Sequence, residues 1–204
     1  MVVRSEAHPG AGVATPPAEF VESVASMRAA VLRPEVFCED MPAPQRIAPH
    51  SAALSADVTV DDLDLGTGRI ILLHDPAGND AWQGTFRCVV YVRAEVDPET
   101  VAEGLLAGVG WSWLTEALIA HDAPYVAASG SVTTVTTESF GGMGEEDPTA
   151  QVEIRASWTP VLDAEHPMSS HVEAWGELLC TAVGLPPVPD GVTAIPSRRG
   201  QRGV

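Results

Sequence analysis

His74, Asp75, Asn79, Asp80 and Trp82 fall in one short stretch, HDPAGNDAWQG, residues 74–84. An imidazole beside carboxylates can hold a hard metal ion or exchange protons as acid and base. The same stretch is rich in Asp, Pro, Gly and Asn, which is turn chemistry. It lacks the glycine and distal glutamate of a calcium-binding loop. The turn reading is preferred, and His74, Asp75 and Asp80 stand as an alternative site. Arg87, Arg93, Glu95, Glu153 and Arg155 all fall on outward faces if their segments are strands. Such a polar sheet surface could bind an anionic ligand or an acidic peptide, or could simply pair with itself across strands. Trp111 and Trp113 lie on one helical turn and point about 200° apart, so one is expected in the core and the other over a helix edge, the alternative being that the second sits in a partner or ligand groove. The binding candidates are therefore Arg87, Arg93, Arg155, Trp111 and Trp113.

Other patterns lack what their chemistry requires. His166 and His171 are too far apart for the HExxH zinc helix, and Pro167 interrupts them. Ser129-Gly130-Ser131 is not a nucleophile elbow, because Ala127 replaces the first glycine. Gly141-Gly142-Met143-Gly144 has no lysine after it, so it is no phosphate loop. Cys38 with His50 or His121 could make a nucleophile and base only if the fold joined them. No catalytic residue, metal or cofactor is expected.

Composition narrows the classes further. The net charge is −17, from 28 acidic against 11 basic residues, and every basic residue is arginine. Without lysine, neither Schiff-base nor phosphate-loop lysine chemistry is open to the chain. The acidic excess repels nucleic-acid backbones and anionic membranes. Cys38, Cys88 and Cys180 lie far apart with no CxxC pair, which fits reduced thiols, and Cys88 and Cys180 suit a core. No basic start with an apolar core marks a signal peptide, so a cytoplasmic location is expected.

The elements that would position these residues centre on GTFRCVVYVRAEV, residues 84–96. Phe86, Cys88, Val90, Val92, Ala94 and Val96 alternate with Arg87, Val89, Tyr91, Arg93 and Glu95, the period of a strand with one buried face. Thr149 to Trp158 alternates the same way, and Tyr125 to Phe140 is rich in Thr and Val. Ser51 to Val60 and Arg69 to Leu73 read as strands, with Asp61 to Gly68 as an acidic turn between them. Glu35 to Asp40 is a candidate edge strand. A helix is expected from Thr15, capped by it, to Pro34. A short helical turn follows Asp97-Pro98. Gly108 and Gly110 should break it, with a second helix from Trp111 to His121. In the last helix Ser170 and Glu173 read as a capping box, and Gly184 as the stop. Residues 1–14 are expected to be disordered, 15–186 to form one domain, and 187–204 to be a mobile tail.

Together these elements predict an α+β fold: a single antiparallel sheet of about five to six strands with helices packed mainly on one face. Their order is helix, three strands, helix, two strands, helix, and it resembles the type III secretion chaperone-like fold. The segments RPEVFCEDMPAPQRIAPHSAALSADV, GRIILLHDPAGNDAWQGTFRCVVYVRAE, VGWSWLTEAL, ASGSVTTVTTESFGG, VEIRASWTP and HVEAWGELLCTAVGLPP resemble an uncharacterised actinobacterial family, a domain of unknown function. The resemblance spans residues 18–192 and implies no activity, cofactor or catalytic position. The expectation is a non-enzymatic protein-interaction domain, chaperone- or adaptor-like, with a protein partner or a second copy. The alternative is a small-molecule-binding domain or minor hydrolase built on the His74–Asp80 stretch.

Overall fold

Period-two patterning is realised as one antiparallel sheet in a computed structural model that describes residues 15–102 and 104–187. Its strands are β1 (Val36–Asp40), β2 (His50–Val60), β3 (Leu63–Asn79), β4 (Gly84–Val96), β5 (Tyr125–Thr137) and β6 (Thr149–Pro160). They lie in the order β1-β2-β3-β4-β6-β5. The helices are α1 (Ala18–Arg28), α2 (Pro98–Ala102), α3 (Leu106–Ala120) and α4 (Met168–Ala182). The expected disordered start and the tail from 188 onward lie outside the described residues.

The even-numbered side of β4 is hidden as its alternation required: Phe86, Cys88, Val90, Val92 and Ala94 are all buried. Ala150, Val152, Ile154, Ala156 and Trp158 of β6 join them on the same face, because β4 and β6 pair with Val90 opposite Ala156 and Val92 opposite Ile154. Each large side chain so buried contributes about 1.5–3 kcal/mol before ordering costs. The helices pack on this face. α4 lies at its centre between α1 and α3, which is why Val172, Trp175, Leu178 and Leu179 are all 0% exposed. Close approach of the helix to β3 depends on glycine. A Cβ on Gly68 would sit 2.8 Å from Leu179 Cδ2, and one on Gly66 would sit 2.6 Å from Val183 Cγ1. Burial also pushes the thiols up, with Cys180 reaching about 12, so Cys88 and Cys180 serve as inert core fillers.

Several boundaries differ from those expected. The acidic stretch 61–68 is not a turn: only Asp61 and Asp62 turn, both with positive φ (51° and 66°), and β3 starts at Leu63. Two residues in that conformation suit the twist of the flanking strands. Residues 74–84 are not one loop either, since β3 continues to Asn79 and the chain reverses over Asp80–Gln83. α1 begins at Ala18 behind an extended Pro17, with no side-chain cap from Thr15, and ends at Arg28. Val31 therefore lies beyond it and is 81% exposed. Gly108 and Gly110 do not break α3. Gly110 is buried there, and a Cβ on it would sit 3.2 Å from Val132 Cγ1, so its small size lets the helix approach β5.

The expected capping box is also absent, because α4 starts at Met168 behind Pro167 and Ser170 makes no cap. Glu173 instead accepts the Val31 N–H at 3.0 Å through Oε1, and its Oε2 lies 3.9 Å from His121 Nδ1. One carboxylate thus ties the chain after α1 and the end of α3 to α4. Gly184, with φ of 78°, ends the helix as expected. Among the described residues no helix is long and apolar enough to cross a membrane.

Candidate functional site

With the helices on one face, the odd-numbered side of the sheet is left uncovered. Strand pairing sets its layout. Arg69 of β3, Tyr91 of β4, Arg155 of β6 and Ser131 of β5 stand in one cross-strand row. Ile71, Val89, Ser157 and Ser129 form the next row. These two rows line an open groove of about 750 Å³. Ile71, Val89 and the Tyr91 ring provide apolar surface, and the three serines provide hydroxyls. Arg69 and Arg155 flank the tyrosine with backbones about 10 Å apart, two strand spacings.

The charges in the groove are unequally matched. Arg155 Nη2 lies 2.7 Å from Glu153 Oε2, and the Arg155 guanidinium sits 5.4 Å from the centroid of the Tyr91 ring. The Tyr91 hydroxyl donates to Glu153 Oε1 at 3.0 Å. Burial, and then the hydrogen bond to Glu153, hold that hydroxyl above its ordinary value, so it remains a neutral donor. Arg69 is exposed and makes no ion pair with a described residue. Arg93, farther along β4, is also exposed and donates from Nε to Gln151 Oε1 at 3.0 Å.

Arg87 departs from the expectation of an outward, solvated arginine, since it is only 7% exposed. Its Nη1 donates to Ala127 O at 2.8 Å and Thr159 Oγ1 at 3.3 Å. Its Nη2 donates to Ser157 Oγ at 2.7 Å and Ser129 Oγ at 3.2 Å. A bulge in β5 between Val126 and Ser129, with Ala127 at φ 52°, accompanies the carbonyl contact. All four acceptors are neutral, and burial pulls the guanidinium down from its ordinary value. Sequence phase placed Arg87 on the correct face. It could not show that β5 would fold beside β6 and close over it. Arg69 was missed as a site residue because its segment read as an apolar strand; its odd phase, shared with Ile71, was the available signal.

The two tryptophans were expected to diverge, one to the core and one outward. Instead both are half-buried and pack against the core. Trp111 lies against Gly130 of β5, while Trp113 shares a hollow with Leu106 and with Thr181 and Val183 at the end of α4. α3 has core on both sides, so opposite directions both lead inward.

The alternative cluster is not assembled. His74 is a strand residue, 0% exposed, and stacks on Phe86 at 4.2 Å and on Phe20 of α1 at 5.8 Å. Its Nδ1 is 3.2 Å from Thr85 O, and its Nε2 is 3.1 Å from Glu19 Oε1, off the line of a good hydrogen bond. Asp75 points to the other side of the strand and accepts the Ala77 N–H at 3.0 Å. Asp80 is exposed in the following turn. Cys38 pairs with Ala56, six residues along β2 from His50, or about 20 Å away. Among the described residues no three His, Cys, Asp or Glu side chains converge as a metal site.

The fold and groove define an α+β domain with one helix-covered sheet face and one open, arginine-bearing face. The chain belongs to the family described as protein of unknown function (DUF3000), which matches residues 16–193. No curated protein and no solved structure matches it.

Proposed function

We propose that the chain is a non-enzymatic interaction domain whose open sheet face receives an acidic segment of a partner protein, in a chaperone- or adaptor-like role. The observation that carries this is the distribution of charge. In a chain of net charge −17, Arg69, Arg87, Arg93 and Arg155 are four of the seven arginines among the described residues, and all sit on this face. The groove lining holds Arg69 and Arg155 and no carboxylate, with Glu153 beside it bonded to Arg155. Such a local reversal of sign favours an anionic partner and suppresses docking of the chain's own acidic surface there. The element order read from the sequence resembles the type III secretion chaperone-like fold, a likeness that would suit this role. Free, well-separated cysteines support a cytoplasmic setting, and an all-arginine composition supports a GC-rich actinobacterial source.

A decamer of glutamate with a fluorescent label tests the reading by anisotropy at low ionic strength. Binding should be salt-sensitive, and Arg69→Glu should weaken it about tenfold, near 1.4 kcal/mol. Arg28→Glu, far from the groove, should leave it unchanged. Equal effects of the two substitutions would mean that the peptide senses only net charge.

A homodimer forms part of the proposal, through the β5 edge. β5 is a thirteen-residue edge strand without a charged residue, whereas the opposite edge, β1, has five residues and ends in Glu39 and Asp40. Long uncharged edges invite pairing, and charged short ones resist it. Light scattering should give twice the chain mass, and Thr134→Lys should halve it. A monomer at all concentrations up to the millimolar range would remove the dimer.

A further inference from the structure

Arg87 is a buried cation with no carboxylate bonded to it among the described residues. A desolvated charge of this kind is costly unless an opposite charge or a full set of hydrogen bonds compensates it. Here the bonds are made to neutral oxygens only, so the positive field is not cancelled. It is passed on. Ser129 and Ser157 both accept from Arg87 Nη2, and both line the groove. A hydroxyl that accepts from a guanidinium must direct its own proton elsewhere. The two oxygens are 3.4 Å apart, so one proton can bridge them, but the other cannot also do so. That remaining O–H is free to turn to the groove side, where the cation behind it would strengthen its donation. Thr159, the third hydroxyl on Arg87, is spent differently, because it donates to Trp82 O.

We infer that the Ser129–Ser157 pair, backed by Arg87, is a carboxylate-binding niche at the end of the groove. This deepens the proposed role, since it names the group on the acidic segment that would be read there. The niche has a small set of hydroxyl donors and one delocalised cation set back from the surface. That suits the single charge of a carboxylate better than the multiple oxygens of a phosphate, which calls for several direct cationic or N–H donors. The apolar surface of Ile71 and Val89 beside it accommodates the methylenes of a glutamate side chain. Arg69 and Arg155 lie one row away and would attract neighbouring acidic residues.

The experiment is a ¹⁵N chemical-shift titration of the whole chain with sodium acetate, with sodium chloride at matched ionic strength as the reference. Acetate should shift the amides of Ser129, Ser131 and Ser157 saturably, and chloride should not. Ser129→Ala should reduce acetate affinity at least fivefold while leaving the remaining amides in place. Ser157→Ala serves as a second variant with the same expected result. Labelled glutamate decamer should then lose affinity in Ser129→Ala with no change in its salt dependence, whereas Arg69→Glu should change both. Decamer binding that persists unaltered in both serine variants overturns the niche and leaves the groove reading standing. Acetate shifts without decamer binding leave the niche standing and overturn the groove reading. Saturation by inorganic phosphate at tenfold lower concentration than acetate overturns the assignment to carboxylate.

Discussion

Replacing Trp158 by alanine is expected to cost about 3–5 kcal/mol of stability, the usual range for an aromatic removed from a packed core. The indole is 0% exposed on β6, opposite Cys88 of β4, and lies between the sheet and α4. Removing it leaves a cavity in a layer that Gly66 and Gly68 already hold close, so the helix cannot collapse far to fill it. The loss also strips His171 of its partner, because the Trp158 N–H donates to His171 Nδ1 at 3.1 Å. Urea unfolding should show the midpoint falling with unchanged slope, and Tm should drop by roughly 10 °C. A loss below about 1 kcal/mol would mean that α4 does not cover this face of the sheet.

The second expectation is an acid-sensitive stability that depends on His171. Its ring is 0% exposed, and burial, with a smaller contribution from His166, lowers its pKa from 6.5 to about 4. In the folded chain the imidazole is therefore neutral near pH 7. Its Nδ1 accepts from Trp158, which places the proton on Nε2, an atom with no protein partner. Between pH 6.5 and 4 the unfolded chain takes up a proton that the folded chain refuses. This contribution is complete above 6.5 and is lost as pH falls, at about 1.4 kcal/mol per pH unit, or about 2 kcal/mol by pH 5.

The carboxylates supply a background of opposite slope, because self-repulsion in a chain with a sequence pI of 4.5 relaxes as pH falls. Comparing the protein with His171→Gln separates the two effects, since glutamine can still accept from the indole but does not titrate. The unfolding free energy at pH 7.5 minus that at pH 5 should be lower by about 2 kcal/mol in the variant than in the parent protein. Parallel pH profiles for the two proteins would show that His171 titrates alike in both states.

Much of the architecture was readable from local chemistry. Strict alternation in 84–96 and 149–158 specified which side chains would be covered, because a strand sends neighbours to opposite faces whatever lies around it. The run Val172, Trp175, Leu179 and Val183 with Gly184 after it specified α4 and its end. Where readings failed, a residue had two physical uses. Gly66 and Gly68 looked like turn residues beside three acidic neighbours, but they are strand residues that make room for a helix remote in sequence. Gly110 looked like a breaker and is instead a contact surface. Ser170 and Glu173 had the spacing of a cap, yet Glu173 bonds to the chain after α1.

The candidate site divides along the same line. The chain itself determined that Arg87, Arg93 and Arg155 share the face opposite the apolar side chains, since period-two geometry needs no partner to be defined. Only the tertiary structure decided that β6 would lie between β4 and β5. That order sets Ser129 and Ser157 on Arg87 and buries it, and brings Arg69 and Arg155 to either side of Tyr91. Strand order is fixed by contacts between residues forty to seventy positions apart, such as Arg87 with Ala127 and Ser157. Those contacts leave no periodic trace in any one segment, because the packing of whole layers selects them rather than the conformation of neighbouring residues.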